Sequence, residues 1–297
     1  MLKNRLAVLG LVILLLFLVT AIFAPFLSPH DPWALGTPYL PPGGEHPLGT
    51  NDIGQDLLSE LIYSTRISLF IGFFAAFLAT VIGTLVGLAA GYLRGTLDEL
   101  LMRFADLFFL IPTLPLVIVL VAYLKPSIWN IIITISLLGW AGTARVVRSR
   151  VLQIREMPFV RSARALGAGS FYIMLRHILP NTSEVVFAKA SLAVAGAMLT
   201  EAGLSFLGLG DPTQKSWGMM LHYAFTHGGI VNGYWWWYLP PVFCISFAVL
   251  GFVLLGYAGQ EEGPESRWFH GVPGEHVFPT RPARKELIRG VKDMIKH

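Results

Sequence analysis

Six long apolar runs, separated by polar, proline-bearing or arginine-bearing segments, organise this chain. A helix needs roughly 20 mainly apolar residues to cross a bilayer. Leu6–Ala24, Ser68–Tyr92, Leu100–Leu124, Ile128–Val147, Val185–Leu207 and Tyr238–Ala258 approach or exceed that length. They are too continuously apolar for barrel strands, which alternate, and a helix satisfies its own backbone hydrogen bonds in lipid. The pattern therefore predicts an all-α integral membrane protein with about six transmembrane helices. Pro25 ends the first run, Pro112 and Pro115 interrupt the third, and Pro240 and Pro241 fall near the start of the sixth. The first run follows Lys3 and Arg5, as a secretory signal would. It is longer than the ~7–15 apolar residues of a signal core and lacks a clear cleavage site, so it reads as a retained anchor.

The same pattern divides the chain. Residues 1–27 form an N-terminal transmembrane helix and 28–67 an extracytoplasmic segment. Residues 68–258 form a five-helix core with a cytoplasmic loop at 145–181, and 259–297 form a cytoplasmic tail. Within the tail, Arg284–Lys296 sets Leu287, Ile288, Val291, Met294 and Ile295 among basic residues. That suits an amphipathic helix on the inner leaflet or a partner.

Composition agrees with the bilayer as solvent. The 297 residues are 54% hydrophobic and 13% charged, against about 25% charged in soluble domains. A single cysteine, Cys244, excludes an internal disulfide framework and any cysteine-based metal cluster. The net charge of +4 would suit nucleic acid, but the arrangement of the basic residues explains it otherwise. With the N-terminus inside, the inner segments hold Lys3, Arg5, Arg94, Arg103, seven arginines between Arg145 and Arg176, and a basic tail. The outer segments keep only Arg66, Lys125 and Lys215. This asymmetry orients both termini to the cytoplasm and leaves no need for nucleic acid. Trp129 and the run Trp235-Trp236-Trp237-Tyr238 fall where spans should meet the outer interface, a usual place for aromatic anchors.

Candidate chemistry is sparse. Gly83, Gly87 and Gly91 lie four apart on one face of the second span, a pattern for close helix packing. Glu99, Arg103 and Asp106 share a helix face and are expected to neutralise one another. Glu201 is a carboxylate in the outer part of the fifth span with no basic residue within a turn. It reads either as a pathway residue or as a hydrogen-bonded structural carboxylate. No Gly-Lys pair exists to build a P-loop, and neither a His-Glu-x-x-His helix nor a Gly-x-Ser-x-Gly elbow occurs. His30, His46, His222 and His227 lie outside the spans and read as solvated loop residues rather than metal ligands. An enzyme is thus not expected; an ion-coupled secondary carrier, which usually needs a relay of ionisable groups at mid-depth, stays as the alternative and would have Glu201 alone for coupling.

The loop Arg145–Pro180 is the most informative segment. Phe159–Leu166 reads as a short helix carrying the small residues Ser162, Ala163 and Ala165. Gly167 ends it, and Ser170 is placed to cap a second helix through Phe171, Ile173, Met174 and Ile178. A helix–Gly–helix element with a small-residue surface is a docking shape.

Phe159-Val-Arg-Ser-Ala-Arg-Ala-Leu-Gly-Ala, followed by Arg176-His-Ile-Leu-Pro-Asn, resembles the Glu-Ala-Ala loop of ABC-importer permeases. Arg161, Ser162 and Ala163 stand at the Glu-Ala-Ala positions. Gly167, between Leu166 and Ala168, matches the family's glycine, and Ile178, Leu179 and Pro180 match the loop's end. Arg161 in place of glutamate is a charge reversal. Further motifs resemble the peptide and nickel branch, the second or "C"-type permease above all: His46-Pro-Leu-Gly-Thr-Asn, Gly54-Gln-Asp-Leu-Leu, Tyr63-Ser-Thr-Arg-Ile-Ser-Leu and Glu201-Ala-Gly-Leu-Ser-Phe-Leu-Gly-Leu-Gly. The resemblance implies a type I importer fold, like that of methionine-importer permeases, in a prokaryotic plasma membrane. It implies a second permease subunit, two ATP-binding subunits driven by ATP and Mg, and an extracytoplasmic binding protein. Residues Arg161 to Pro180 would couple ATPase closure to the spans, with no cofactor in this chain. Peptides are the implied cargo, with oligosaccharides or nickel as alternatives in the same branch.

Overall fold

Helix α1, Arg5–Ile22, starts the computed structural model, which describes residues 5–261. The expected amphipathic helix at Arg284–Lys296 lies outside the described residues. A short helix α2, Ala24–Leu27, follows, with Pro25 in its first turn.

The next helix corrects the sequence reading. Helix α3 runs Leu57–Leu93 and so begins well before Ser68. Its N-cap is Asp56, whose side chain accepts the Ser59 N–H at 2.8 Å, satisfying a free helix-end donor. Ser59, Glu60, Ser64, Thr65 and Ser68 are buried on the inner face of this first part. A hydropathy window counts them against a span, although they face protein rather than lipid.

The third apolar run is not one straight helix. It forms α4, Gly95–Leu110, and α5, Thr113–Leu124, bent by 86°. Ile111 is extended, as the residue before a proline prefers. Helix α6, Ile128–Arg155, is capped by Ser127 and continues past Val147. Helix α7, Pro158–Ala165, is followed by α8, Ser170–Ile173, then by one wider π-type turn, Met174–Ile178, and by α9, Leu179–Phe206. The chain is helical without interruption from Ser170 to Phe206. Ser170 is therefore the first helical residue and makes no capping bond; Gly169 holds the cap position. Helix α10, Trp217–Thr226, is capped by Ser216, and α11, Trp235–Glu261, completes the described residues. Among these residues, five helices are long and apolar enough to cross a membrane, or six if α4 and α5 count as one broken span.

The α3–α6 seam anchors the bundle. A Cβ added to Gly83 or Gly87 would lie 2.5 Å from the carbonyl oxygen of Trp140 or Ala144, and one on Gly91 would lie 2.8 Å from Val151 Cβ. Only hydrogen fits at these three positions, so the two backbones lie close together along the seam. Elsewhere in the bundle, α3, α9, α10 and α11 enclose Ile71, Met198, Leu204, Trp217 and Trp237. The tryptophan run is thus divided. Trp235 stays 51% exposed as an interfacial anchor would, but Trp237 is wholly buried in the core.

Candidate functional site

The 158–180 element is built from its local sequence. Pro158 opens α7 at a position where its missing N–H costs nothing. The helix closes with Gly167 at φ +84°. The Gly167 N–H donates to Arg164 O at 3.0 Å and the Ala168 N–H to Ala163 O at 3.1 Å. These paired bonds satisfy the last carbonyls of α7 and require a left-handed residue between them.

One face of this element is buried and the other is not. Val160, Ile173 and Ile178 pack against Leu88 and Tyr92 of α3 and against Val147, Val151 and Ile154 of α6. Ala163 and Ala168 are half-buried at the edge of that cluster. Arg161, Ser162, Gly167 and Pro180 are exposed. Leu166 is 88% exposed and Phe171 71%. The element is thus tied to the ends of two spans, runs directly into a third, and presents apolar side chains outward.

Its charges are mostly settled within the chain. Arg161, expected from the resemblance to stand at a glutamate position, pairs with Glu156 at 3.1 Å, and Arg94 approaches the same carboxylate at 3.5 Å. The hydrogen bond from Arg161 holds the Glu156 carboxyl below the usual carboxylate range, with Arg94 and Arg155 adding to the effect. The sequence reading missed Glu156. Its place five residues before Arg161, across the α6–α7 turn, was the available signal. Arg155 donates to Tyr92 O, and the Arg155 and Arg164 guanidinium groups lie 5.5 and 5.7 Å from the Tyr92 ring centre.

The expected neutralisation within α4 needs correction. Glu99 does pair with Arg103, but Asp106 pairs with Arg145 of α6. Asp98 accepts two hydrogen bonds from Arg148 at 2.6 and 2.7 Å. These cross-helix pairs clamp α4 to α6, which the i+3 spacing alone could not reveal.

Between the spans, Ala75, Ala79, Gly139, Gly142, Lys189 and Gly196 help to line a cavity of about 260 Å³ formed by α3, α5, α6 and α9. A Cβ added to Gly142 or Gly196 would meet nothing within 4 Å. Glu201 lies elsewhere. It is 1% exposed, accepts from Ser205 Oγ at 2.8 Å, and is approached by the Ser68 and Ser216 hydroxyls. Ahead of α3, Asn51 donates to Gln55 and Glu60 at 3.1 and 3.2 Å. Lys215 pairs with buried Glu60 at 3.1 Å. This knot joins the segment before α3 to the loop before α10; the sequence reading placed Asn51 and Gln55 in motifs and counted Lys215 among outer basic residues, but it did not name Glu60 or bring the four together.

Comparison with known proteins gives a consistent result. Residues 83–261 match the family model described as a binding-protein-dependent transport system inner membrane component. Residues 1–42 match the N-terminal transmembrane domain of oligopeptide transport permease C. The dipeptide transport system permease protein DppC of Bacillus subtilis is 38% identical over 262 residues, covering 87% of this chain and 81% of the relative. The oligopeptide transport system permease protein OppC of the same organism is 36% identical over 260 residues, covering 86% and 83%. A probable D,D-dipeptide transport system permease protein of Escherichia coli is 34% identical, covering 86% of each. A solved structure of the MetNI methionine ABC transporter in inward-facing conformations aligns with a TM-score of 0.55 at 17% identity, over 69% of this chain and 95% of that one. That likeness concerns the fold alone.

Proposed function

The chain belongs to the family of binding-protein-dependent transport system inner membrane components, and from that premise we propose that it forms half of the translocation pathway of an ATP-driven importer of di- and oligopeptides. The cargo reading is supported by the relatives' names, which specify dipeptide and oligopeptide transport. The observation that carries the mechanism is the 158–180 element, anchored on one face and apolar and exposed on the other.

In this reading, Leu166, Phe171 and the small face around Ser162 and Ala163 seat in an ATP-binding subunit. ATP and Mg belong to two such subunits and not to this chain. Their closure shifts the element, and Val160, Ile173 and Ile178 pass that shift to the ends of α3 and α6. The unbroken helical path passes it to α9. The bundle then exchanges between inward- and outward-open arrangements, which ATP and cargo populate differently. A second permease completes the pathway, and the cavity bearing Gly142, Lys189 and Gly196 faces it. An extracytoplasmic binding protein delivers cargo at the end holding α10. Both termini lie in the cytoplasm of a prokaryotic cell, an orientation supported by the arginine distribution. Glu201, the carboxylate an ion-coupled carrier would use, is enclosed by serine hydroxyls, so it takes the structural role here.

Co-expression of the tagged chain with the proteins encoded beside it, followed by reconstitution into liposomes, tests this. The expected result is co-purification of a second permease and ATPases, with peptide uptake that requires ATP. Uptake of oligosaccharide or nickel instead would change the cargo and keep the mechanism. Ion-driven uptake by this chain alone would overturn the reading.

A further inference from the structure

The sequence reads His30 and His46 as solvated loop residues, but the fold brings both against the carboxylate that caps α3. Asp56 is buried, and its Oδ2 is fully engaged, accepting the Ser59 N–H at 2.8 Å and the Ser59 hydroxyl at 2.6 Å. Its Oδ1 is left facing two imidazoles, with His46 Nδ1 at 2.9 Å and His30 Nδ1 at 3.8 Å. The two rings stand 4.9 Å apart, centre to centre. His30 Nδ1 is shut away from solvent and has no hydrogen-bond partner among the described residues. A buried polar nitrogen without a partner costs free energy and calls for a ligand.

We propose that His30, His46 and Asp56 bind one divalent transition-metal ion of the zinc class. One ligand atom from each residue lies within 4.8 Å of the other two. A tetrahedral zinc ion about 2.0–2.1 Å from each ligand spaces the ligand atoms roughly 3.3 Å apart. The two distances to Asp56 Oδ1, 2.9 and 3.8 Å, bracket that spacing, so small ring movements complete the set. Two imidazoles and a carboxylate suit zinc better than calcium or magnesium, which prefer all-oxygen shells. The surrounding bonds brace the ligands. The His30 backbone N–H donates to Ser59 Oγ at 3.1 Å, and Ser59 in turn holds the Asp56 carboxylate, which fixes one ligand and the backbone of another. Three protein ligands leave the fourth position to water or to a residue of a docked partner. The ion ties residues 30 and 46 to the N-cap of α3 and so staples the segment between α2 and α3 onto the bundle.

The test uses the assembled complex, purified by a tag without histidine, stripped with chelator and dialysed against Zn²⁺. Elemental analysis should find about one zinc per copy of this chain. His30→Gln and His46→Gln should each weaken retention at least ~10-fold. His227→Gln, which breaks a separate pair with Asp52, should leave retention unchanged. X-ray absorption of the wild-type complex should show two imidazoles at ~2.0–2.1 Å. No zinc above background in the wild type would overturn the proposal. So would undiminished zinc in an intact His30→Gln/His46→Gln complex. If that double variant fails to assemble, a wild-type spectrum with fewer than two imidazoles overturns it equally.

Discussion

Gly83, Gly87 and Gly91 press against the backbone of α6, where an added methyl group would collide with carbonyl oxygens or a valine. Gly142, Gly196 and Gly167 have open space where a Cβ would point. The first set belongs to a seam completed within one chain. In the second set, Gly142 and Gly196 line a cavity between spans, and Gly167 turns an element whose outer face carries Leu166 and Phe171 into solvent. Identical residues thus separate what this chain packs for itself from what, under the proposed function, it leaves for partners. The difference comes from the neighbours, since glycine is equally permissive in both places.

The largest effect should come from closing the seam. Gly87→Leu forces a side chain into the Ala144 carbonyl and Val147, an overpacking cost of about 3 kcal/mol or more. Most of the chain should disappear from the folded membrane fraction in fluorescence-detected size-exclusion chromatography. Gly142→Ala and Gly196→Ala should elute normally, because nothing meets the added methyl. Equal behaviour of the two sets would break the comparison.

Next is the open element. Gly167→Pro removes an N–H that bonds Arg164 O and demands a φ near −65° where the chain holds +84°. Folding should survive, since the site is exposed, while ATP-driven uptake falls at least ~10-fold, a barrier change of about 1.4 kcal/mol. ATP hydrolysis should persist in the same preparation. Ala163→Trp, at the edge of the same surface, should uncouple in the same way.

A smaller loss is expected at the α4–α6 clamp. Arg148→Ala leaves a half-buried Asp98 without its two hydrogen bonds, which should cost about 1.5–3 kcal/mol. Thermal unfolding of the detergent-solubilised complex measures it, and Arg148→Lys should recover only part because the paired geometry is lost.

The smallest effect concerns Glu156. Its folded-state pKa is lowered, so its stabilising contribution is complete above the unfolded carboxylate range near 4.3. That contribution disappears as pH falls through the lowered folded value. Glu156→Gln should therefore lower the melting temperature slightly near neutral pH, and the difference from wild type should vanish in acid. The pair is exposed, so ~1 M salt should also erase the difference.

The helical membrane fold was legible because lipid imposes apolar runs that a single sequence displays; the glycine spacing pointed to close helix packing but did not say whether the partner lay in this chain or another, and α6 came from the structure. The turn at Gly167 was legible because a left-handed residue between two helices favours glycine. What stayed hidden depended on residues distant in sequence. The early start of α3 was concealed by Ser59, Glu60 and Ser64, polar residues that face protein. Asp106 was assigned to its own helix because Arg145, its partner, lies on another one. The 86° bend at Pro112 could be located but not measured, since a proline marks a break without fixing its angle. The surroundings of Glu201 come from α3, α9 and the loop before α10 together, and no local window contains them.

In the proposed function, the exposed face of the 158–180 element docks on an ATP-binding subunit. Cysteine cross-linking tests it most directly, in a Cys244→Ala background that removes the chain's one native thiol. Leu166→Cys in the co-expressed complex should give a cross-linked product with the mass of this chain plus an ATPase subunit, in a yield that changes with nucleotide. Leu207→Cys, exposed beyond the far end of α9, should give none. An intact, ATP-hydrolysing complex in which Leu166→Cys forms no such product, or forms it no better than Leu207→Cys, would contradict the account.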